Sequence, residues 1–380
     1  MKQALTGAHV FDGETLREGL AVIVEDDRIT AIEPTQGLGN TLPVIELGGG
    51  ILAPGFIDLQ VNGGGGVLFN NDTSLGAITT MLAGHRSRGT TSMLPTLISD
   101  TAERQRAGVE AIAAAVDAGI PGVLGVHIEG PFFNLAKRGA HQAAYIRAMD
   151  EPDIDWLTSL SGFKVMLTLA PECAQPGQIQ RLADAGITVC AGHTNATYEE
   201  VMGAIEEGLK GFTHLYNAMR PLLSREPGVV GAALADPDTW CGIIVDGHHA
   251  HPAAVRAAYG AKPQGKLFLV TDAMATVGAA EKSFEIYGET IHEDNGRLIN
   301  ADGLLAGSAI GMIDAVRINT ALVGIPLEES LRMASLYPAQ FMQLDHQLGR
   351  INTGHRADLV HFDNDFIVRN TWVAGEHQSH

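Results

Sequence analysis

The sequence predicts an α/β fold: a (β/α)8 TIM-like barrel carrying a small β-sandwich built from both chain ends. Two patterns point there. Between residues 56 and 272, short apolar runs alternate with helix-like stretches eight times, whereas the terminal segments read as short alternating strands punctuated by turns. The 380 residues, 45% of them hydrophobic, suffice for one large core and a smaller second one.

The eight runs are FIDLQV (56–61), TSML (91–94), VLGVHI (123–128), KVMLTL (164–169), ITVC (187–190), GFT (211–213), CGIIV (241–245) and LFLVT (267–271). Between them lie stretches such as LGAITTMLAGHRSRG, AERQRAGVEAIAAAVDAG and TYEEVMGAIEEG, which are apolar at three- and four-residue spacing and close in Gly. Strand and helix repeated eight times imply a closed parallel barrel, whose strand ends and following loops build the active site. GMIDAVRINTALVG and PLEESLRMASLYPAQFMQL read as its closing helices. The expected division is 1–53 with 350–380 as the discontinuous sandwich and 54–349 as the catalytic barrel.

Composition excludes several classes of function. Asp and Glu total 44 against 25 Lys and Arg, a formal charge of -19 that repels a polyanion, so nucleic acid is not an expected partner. No run approaches the ~20 apolar residues of a membrane span, and the start, MKQALTGAHVFDGE, lacks the apolar core of a secretory signal. The expected location is the cytoplasm. Cys173, Cys190 and Cys241 are far apart and odd in number, which fits reduced thiols in apolar strand contexts.

Four strand ends carry chemistry. Glu129 closes the third run in GVHIEGPF, His193 follows the fifth in CAGHTN, His214 the sixth in GFTHLYNAM, and Asp272 the eighth in LVTDAM. One carboxylate and two neutral imidazoles with a position left open form a three-ligand catalytic metal site, and the fourth residue is then free for proton transfer.

As an ordered series, PGFIDLQVNG, GVHIEGPF, RGAHQ, AGHTNA, THLYNAM, SREPG, VDGHH and LVTDAM make the chain resemble the N-acetylglucosamine-6-phosphate deacetylase family of the amidohydrolase superfamily over nearly its whole length. The resemblance implies hydrolysis of the acetamide of a phosphorylated amino sugar, in amino-sugar catabolism. Glu129, His193 and His214 would hold one divalent ion per subunit, zinc first, with iron, cobalt or manganese as alternatives. Asp272 would serve as base toward the metal-activated water and then as acid toward the departing amine, while His141 helps stabilise the oxyanion. Asn217, the backbone N–H of Ala218, Arg225 and His249 would bind the phosphate, with Arg225 reaching the neighbouring site of a homodimer. Within DGHHAHP only His249 matches; His248 and His251 read as surface residues. GGGG (63–66) reads as a flexible active-site loop.

Many barrel hydrolases place His-x-His where this chain has Gln60 and Asn62. Amides are poor zinc ligands beside imidazole, so one metal is expected, with Gln60 and Asn62 as hydrogen-bonding groups behind it. Two other readings stay open: an amidohydrolase acting on N-acyl amino acids or cyclic amides, and a non-catalytic assembly protein on the same fold.

Overall fold

The computed structural model describes residues 2–39, 42–301 and 303–380. Eight strands, β1 (Phe56–Val61), β2 (Thr90–Ile98), β3 (Gly125–Glu129), β4 (Lys164–Leu169), β5 (Thr188–Ala191), β6 (Gly211–Phe212), β7 (Trp240–Ile244) and β8 (Leu267–Val270), pair side by side in chain order, all parallel. They are buried almost throughout, as strands covered on both faces must be, which is why they read as continuous apolar runs.

The helices between them start at side chains suited to cap free N–H groups: Ser74 accepts from Ala77, Thr101 from Arg104, and Thr197 forms a capping box with Glu200. Helices Met312–Ile318, Leu327–Ala334 and Leu336–Phe341 follow the barrel, the last two packing on β8 and β1.

The barrel closes between β8 and β1. Asp272 N–H donates to the Gln60 carbonyl at 2.9 Å and Asn62 N–H to the Ala273 carbonyl at 2.8 Å. Below these bonds the fully buried Asp58 carboxylate accepts from the Thr271 hydroxyl and from the Thr271 and Gln60 backbone N–H groups.

Strands from both chain ends share a sheet. Ile51–Pro54 pairs with His9–Phe11 on one side and with Leu359–Phe362 on the other, in the six-stranded sheet that ends at Glu376–Ser379. A four-stranded sheet of Lys2–Thr6, Leu20–Glu25, Arg28–Pro34 and Val44–Glu46 faces it across Leu5, Val22, Val24, Ile29, Val10, Leu52, Leu359 and Trp372. Among the described residues, no helix is long and apolar enough to cross a membrane.

Three local features differ from the sequence reading. Residues 283–308, which carried no assigned element, form an antiparallel sheet of Ser283–Ile286, Glu289–Asp294, Arg297–Ile299 and Leu305–Ser308. Its first two turns are the two-residue loops Tyr287–Gly288 and Asn295–Gly296, all four residues at positive φ, as the twist of a tight hairpin requires. The tetraglycine is a hairpin pressed under the helix Leu75–Arg86, not an open loop: a Cβ on Gly63 would lie 2.4 Å from the Val67 carbonyl, and one on Gly64 2.6 Å from the His85 ring. Cys173 sits half-buried in the one-turn helix Pro171–Cys173, not in a strand, while Cys190 and Cys241 are buried thiols that desolvation pushes up to about 12.

Burial raises the Asp58 carboxyl from 3.8 to about 7, against the hydrogen bonds it accepts. A carboxyl whose folded-state value lies above its unfolded value stabilises the fold while protonated, and that contribution drains away as pH rises between the two values. The stability advantage of wild type over Asp58→Asn should therefore fall from pH 3.8 to about 7 and stay flat above. Urea unfolding at a series of pH values measures it, and a difference independent of pH would reject the seam assignment.

Candidate active site

Glu129 is the last residue of β3, and His193, His214 and Asp272 each stand two residues past the ends of β5, β6 and β8. All four face one cavity of about 350 Å³ at the C-terminal end of the barrel. The three post-strand residues turn sharply inward: His193, His214 and Asp272 have φ of 49°, 34° and 53°, a left-handed backbone that costs a non-glycine residue about 1–2 kcal/mol.

One ligand atom from each of Glu129, His193 and His214 lies within 4.8 Å of the others. His214 Nε2 is 3.1 Å from Glu129 Oε1 and 3.1 Å from His193 Nε2, and His193 Nε2 is 3.4 Å from the same carboxylate oxygen. Two imidazole nitrogens aimed at one point beside a carboxylate oxygen is the donor set of a divalent cation. His193 is oriented from behind, since its Nδ1–H donates to the Lys137 carbonyl at 2.9 Å and its ring stacks on Phe133 at 4.3 Å, leaving the Nε2 lone pair for the site. The electrostatics fit a cation as well. Burial alone would raise Glu129, yet the hydrogen bonds of His193 and His214 hold its carboxyl well below the usual range. Burial lowers His193, whereas contact with Glu129 outweighs burial at His214 and favours its charged form.

Gln60 and Asn62 answer for the absent histidine pair. Gln60 Nε2 donates to Glu129 Oε1 at 3.0 Å and to Asp272 Oδ1 at 3.1 Å, and Asn62 Nδ2 donates to the same Asp272 oxygen at 2.6 Å. Both amides thus hold carboxylates. Burial, reinforced by the Glu129 charge, raises the Asp272 carboxyl to about 6.

His141 lies in the loop after β3 and is buried. The Ser99 N–H donates to its Nδ1 at 3.2 Å, which makes that nitrogen an acceptor and assigns the ring proton to Nε2, and the Ser99 hydroxyl lies 2.9 Å from the same Nδ1. Burial, then the His193 charge, lowers its pKa to about 3, so the ring is neutral. Tyr287 of the inserted sheet steadies Ser99, one residue past β2, by donating to its carbonyl at 2.6 Å.

Asn217, Ala218 and His249 line the opposite side of the cavity. Asn217 Nδ2 donates to the His214 carbonyl at 3.2 Å, and Ala218 has φ of 51°. His249 Nδ1 lies 2.6 Å from the Asp246 carboxylate, which also accepts from the His248 and His249 N–H groups. In the sequence, the signal for Asp246 is a carboxylate directly after the seventh run and just before a histidine pair. His251 caps the helix Pro252–Ala261, and His248 is exposed. Arg225 is exposed on the loop after β6 and does not line its own chain's cavity.

Fold and site together define a barrel hydrolase. A model of the amidohydrolase family matches residues 51–377, and the chain belongs to that family. It is 43% identical to an N-acetylgalactosamine-6-phosphate deacetylase of Shewanella sp. (strain ANA-3), over 97% of this chain and 94% of that one. It is 37% identical to an N-acetylglucosamine-6-phosphate deacetylase of Haemophilus influenzae, over 99% of both. The solved N-acetylglucosamine-6-phosphate deacetylase of Pasteurella multocida superposes with a TM-score of 0.97 at 39% identity, each chain covered in full.

Metal analysis of the purified protein should find one divalent ion per chain, lost from His193→Ala and His214→Ala and kept in Asp272→Asn. Wild-type metal content in either histidine variant would remove the centre from these residues.

Proposed function

We propose that this protein is a metal-dependent amide hydrolase that removes acetate from N-acetylglucosamine 6-phosphate and leaves glucosamine 6-phosphate. The observation that carries the reading is the convergence of one carboxylate and two imidazoles within reach of a single cation, with a second carboxylate in the same cavity. Glu129, His193 and His214 would hold a divalent ion, zinc first, whose chemistry when bound would be Lewis acidity and the activation of water near neutral pH.

The chain's own groups do the rest. Asp272 takes the proton of the attacking water and returns it to the departing nitrogen, and a carboxyl near 6 suits both tasks. Since Gln60 and Asn62 both donate to Oδ1, Oδ2 is the oxygen left to carry that proton. His141 donates from Nε2 to the oxygen on which negative charge develops. Asn217, the Ala218 N–H and His249 receive the phosphorylated end of the sugar. Arg225 completes the phosphate site from the second subunit of a homodimer, consistent with its exposure beside exposed Leu222 and Leu223.

The reading places the enzyme in the cytoplasm, with the barrel spanning 54–349 and the sandwich 1–53 and 350–380. A second reading, the C4 epimer N-acetylgalactosamine 6-phosphate as substrate, is favoured by the name of the 43% identical relative.

An acetate-release assay on both epimers, with and without the 6-phosphate, tests the proposal; no release from any of them rejects it. Asp272→Asn should lose on the order of 10²–10⁴ in kcat while retaining metal. Arg225→Ala should lose about 10–100-fold in kcat/KM on the phosphorylated sugar and little on its unphosphorylated counterpart. Equal losses on the two would refute the phosphate role.

A further inference from the structure

The cavity has two unlike walls. Asn217, Ala218 and His249, from the loops after β6 and β7, present polar groups. The other lining is largely apolar and includes Ile98, Met274, Ile286 and Ala306, with Leu304 and Leu305 beside them. Ile98 ends β2 in register with Glu129, and Met274 lies two residues past Asp272. Ile286 and Ala306 come from the first and last strands of the inserted sheet. All four belong to one buried cluster, each no more than 6% exposed. None can move a proton or bind phosphate, so the roles assigned so far leave this wall without a use.

The substrate needs such a wall. On the deacetylase reading, on which this inference rests, the carbonyl oxygen faces His141, the nitrogen faces Asp272, and the sugar phosphate lies toward Asn217 and His249. The carbon substituent of the acyl group is the part that remains, and an apolar wall accepts it without stranding a polar group. We propose that Ile98, Met274, Ile286 and Ala306 form the acyl pocket, and that Ile286 and Ala306 set the length of acyl chain the enzyme accepts.

Gly307 holds the wall in place. With φ of 72° and an added Cβ only 2.5 Å from Met274 Cγ and 2.8 Å from the Asp272 carbonyl, it lets the last strand of the insert press directly on the segment bearing Asp272. Ser308 N–H donates to the Asp272 carbonyl at 2.8 Å and Met274 N–H to the Ser308 carbonyl at 3.0 Å, so the wall cannot retreat from the reacting centre.

The test compares kcat/KM for N-acetyl-, N-propionyl- and N-butyryl-glucosamine 6-phosphate, followed by release of the free amine. Wild type should favour acetyl. Ile286→Ala should raise the propionyl-to-acetyl ratio on the order of tenfold, and Ala306→Val should lower it by a similar factor, since one methylene in an apolar pocket discriminates by about that much. Ile286→Val removes a single methyl group, is less disruptive to folding, and should shift the ratio in the same direction by less. Ratios within about twofold of wild type in all three variants, with the acetyl substrate still turned over, would overturn the acyl pocket alone. No turnover of any N-acyl substrate by wild type would instead overturn the deacetylase reading, and the pocket with it.

Discussion

Two buried carboxylates, Glu129 on β3 and Asp272 after β8, are brought together in one cavity, and the rest of the site is arranged around that repulsion. Each carboxylate is held differently. Glu129 is kept ionised by two imidazoles that converge on it, whereas Asp272 is pushed toward its neutral form by burial and by Glu129. Gln60 stands between them and donates to both. An amide cannot hold zinc as imidazole does, yet one NH2 group can serve two anions at once, each such bond contributing about 1.5–3 kcal/mol. On the proposed function, Gln60 and Asn62 in place of a histidine pair replace the charge of a second metal with hydrogen bonds. They also leave Asp272 free to exchange a proton.

Holding these groups at one point strains the backbone. His193, His214, Ala218 and Asp272 all adopt positive φ, and such residues persist only where surrounding structure over-determines them. The β8–β1 seam supplies that constraint for Asp272. Its N–H is bonded to Gln60, its carbonyl accepts from Ser308, and the preceding Thr271 is tied by side chain and backbone to the buried Asp58. Barrel closure and catalytic geometry are therefore one set of bonds.

The inserted sheet extends this logic to the substrate. Its Tyr287 hydroxyl reaches the Ser99 carbonyl, and Ser99 in turn fixes the proton of His141 on Nε2, so a segment outside the barrel repeat helps orient a group inside the cavity. The same sheet contributes the apolar Ile286 and Ala306 to the cavity that Glu129, His193 and His214 also line.

Local pattern was enough for much of this. FIDLQV and KVMLTL coincide with β1 and β4, and the other runs differ from their strands by a few residues at the ends, because continuous apolar runs between turn signals are what a doubly covered parallel strand demands. The convergence of Glu129, His193 and His214 was legible too, since strand order alone places strand-end residues on one face. The inserted sheet lies beyond the repeating barrel pattern, and its local signals are only the turns Tyr287–Gly288 and Asn295–Gly296 between short strands of mixed polarity. What only the tertiary structure decided are contacts between residues far apart in sequence: Asp58 with Thr271, Gln60 with Asp272, Ser99 with His141, and Ile98 with Ile286 in one cluster of the cavity wall. The sequence by itself determined which residue types stand at each strand end. Which nitrogen carries a proton, which carboxylate oxygen is free and where the glycines are crowded depend on distances of about 3 Å set only once the barrel has closed, because hydrogen bonding and burial fall off too steeply to be read from spacing along the chain.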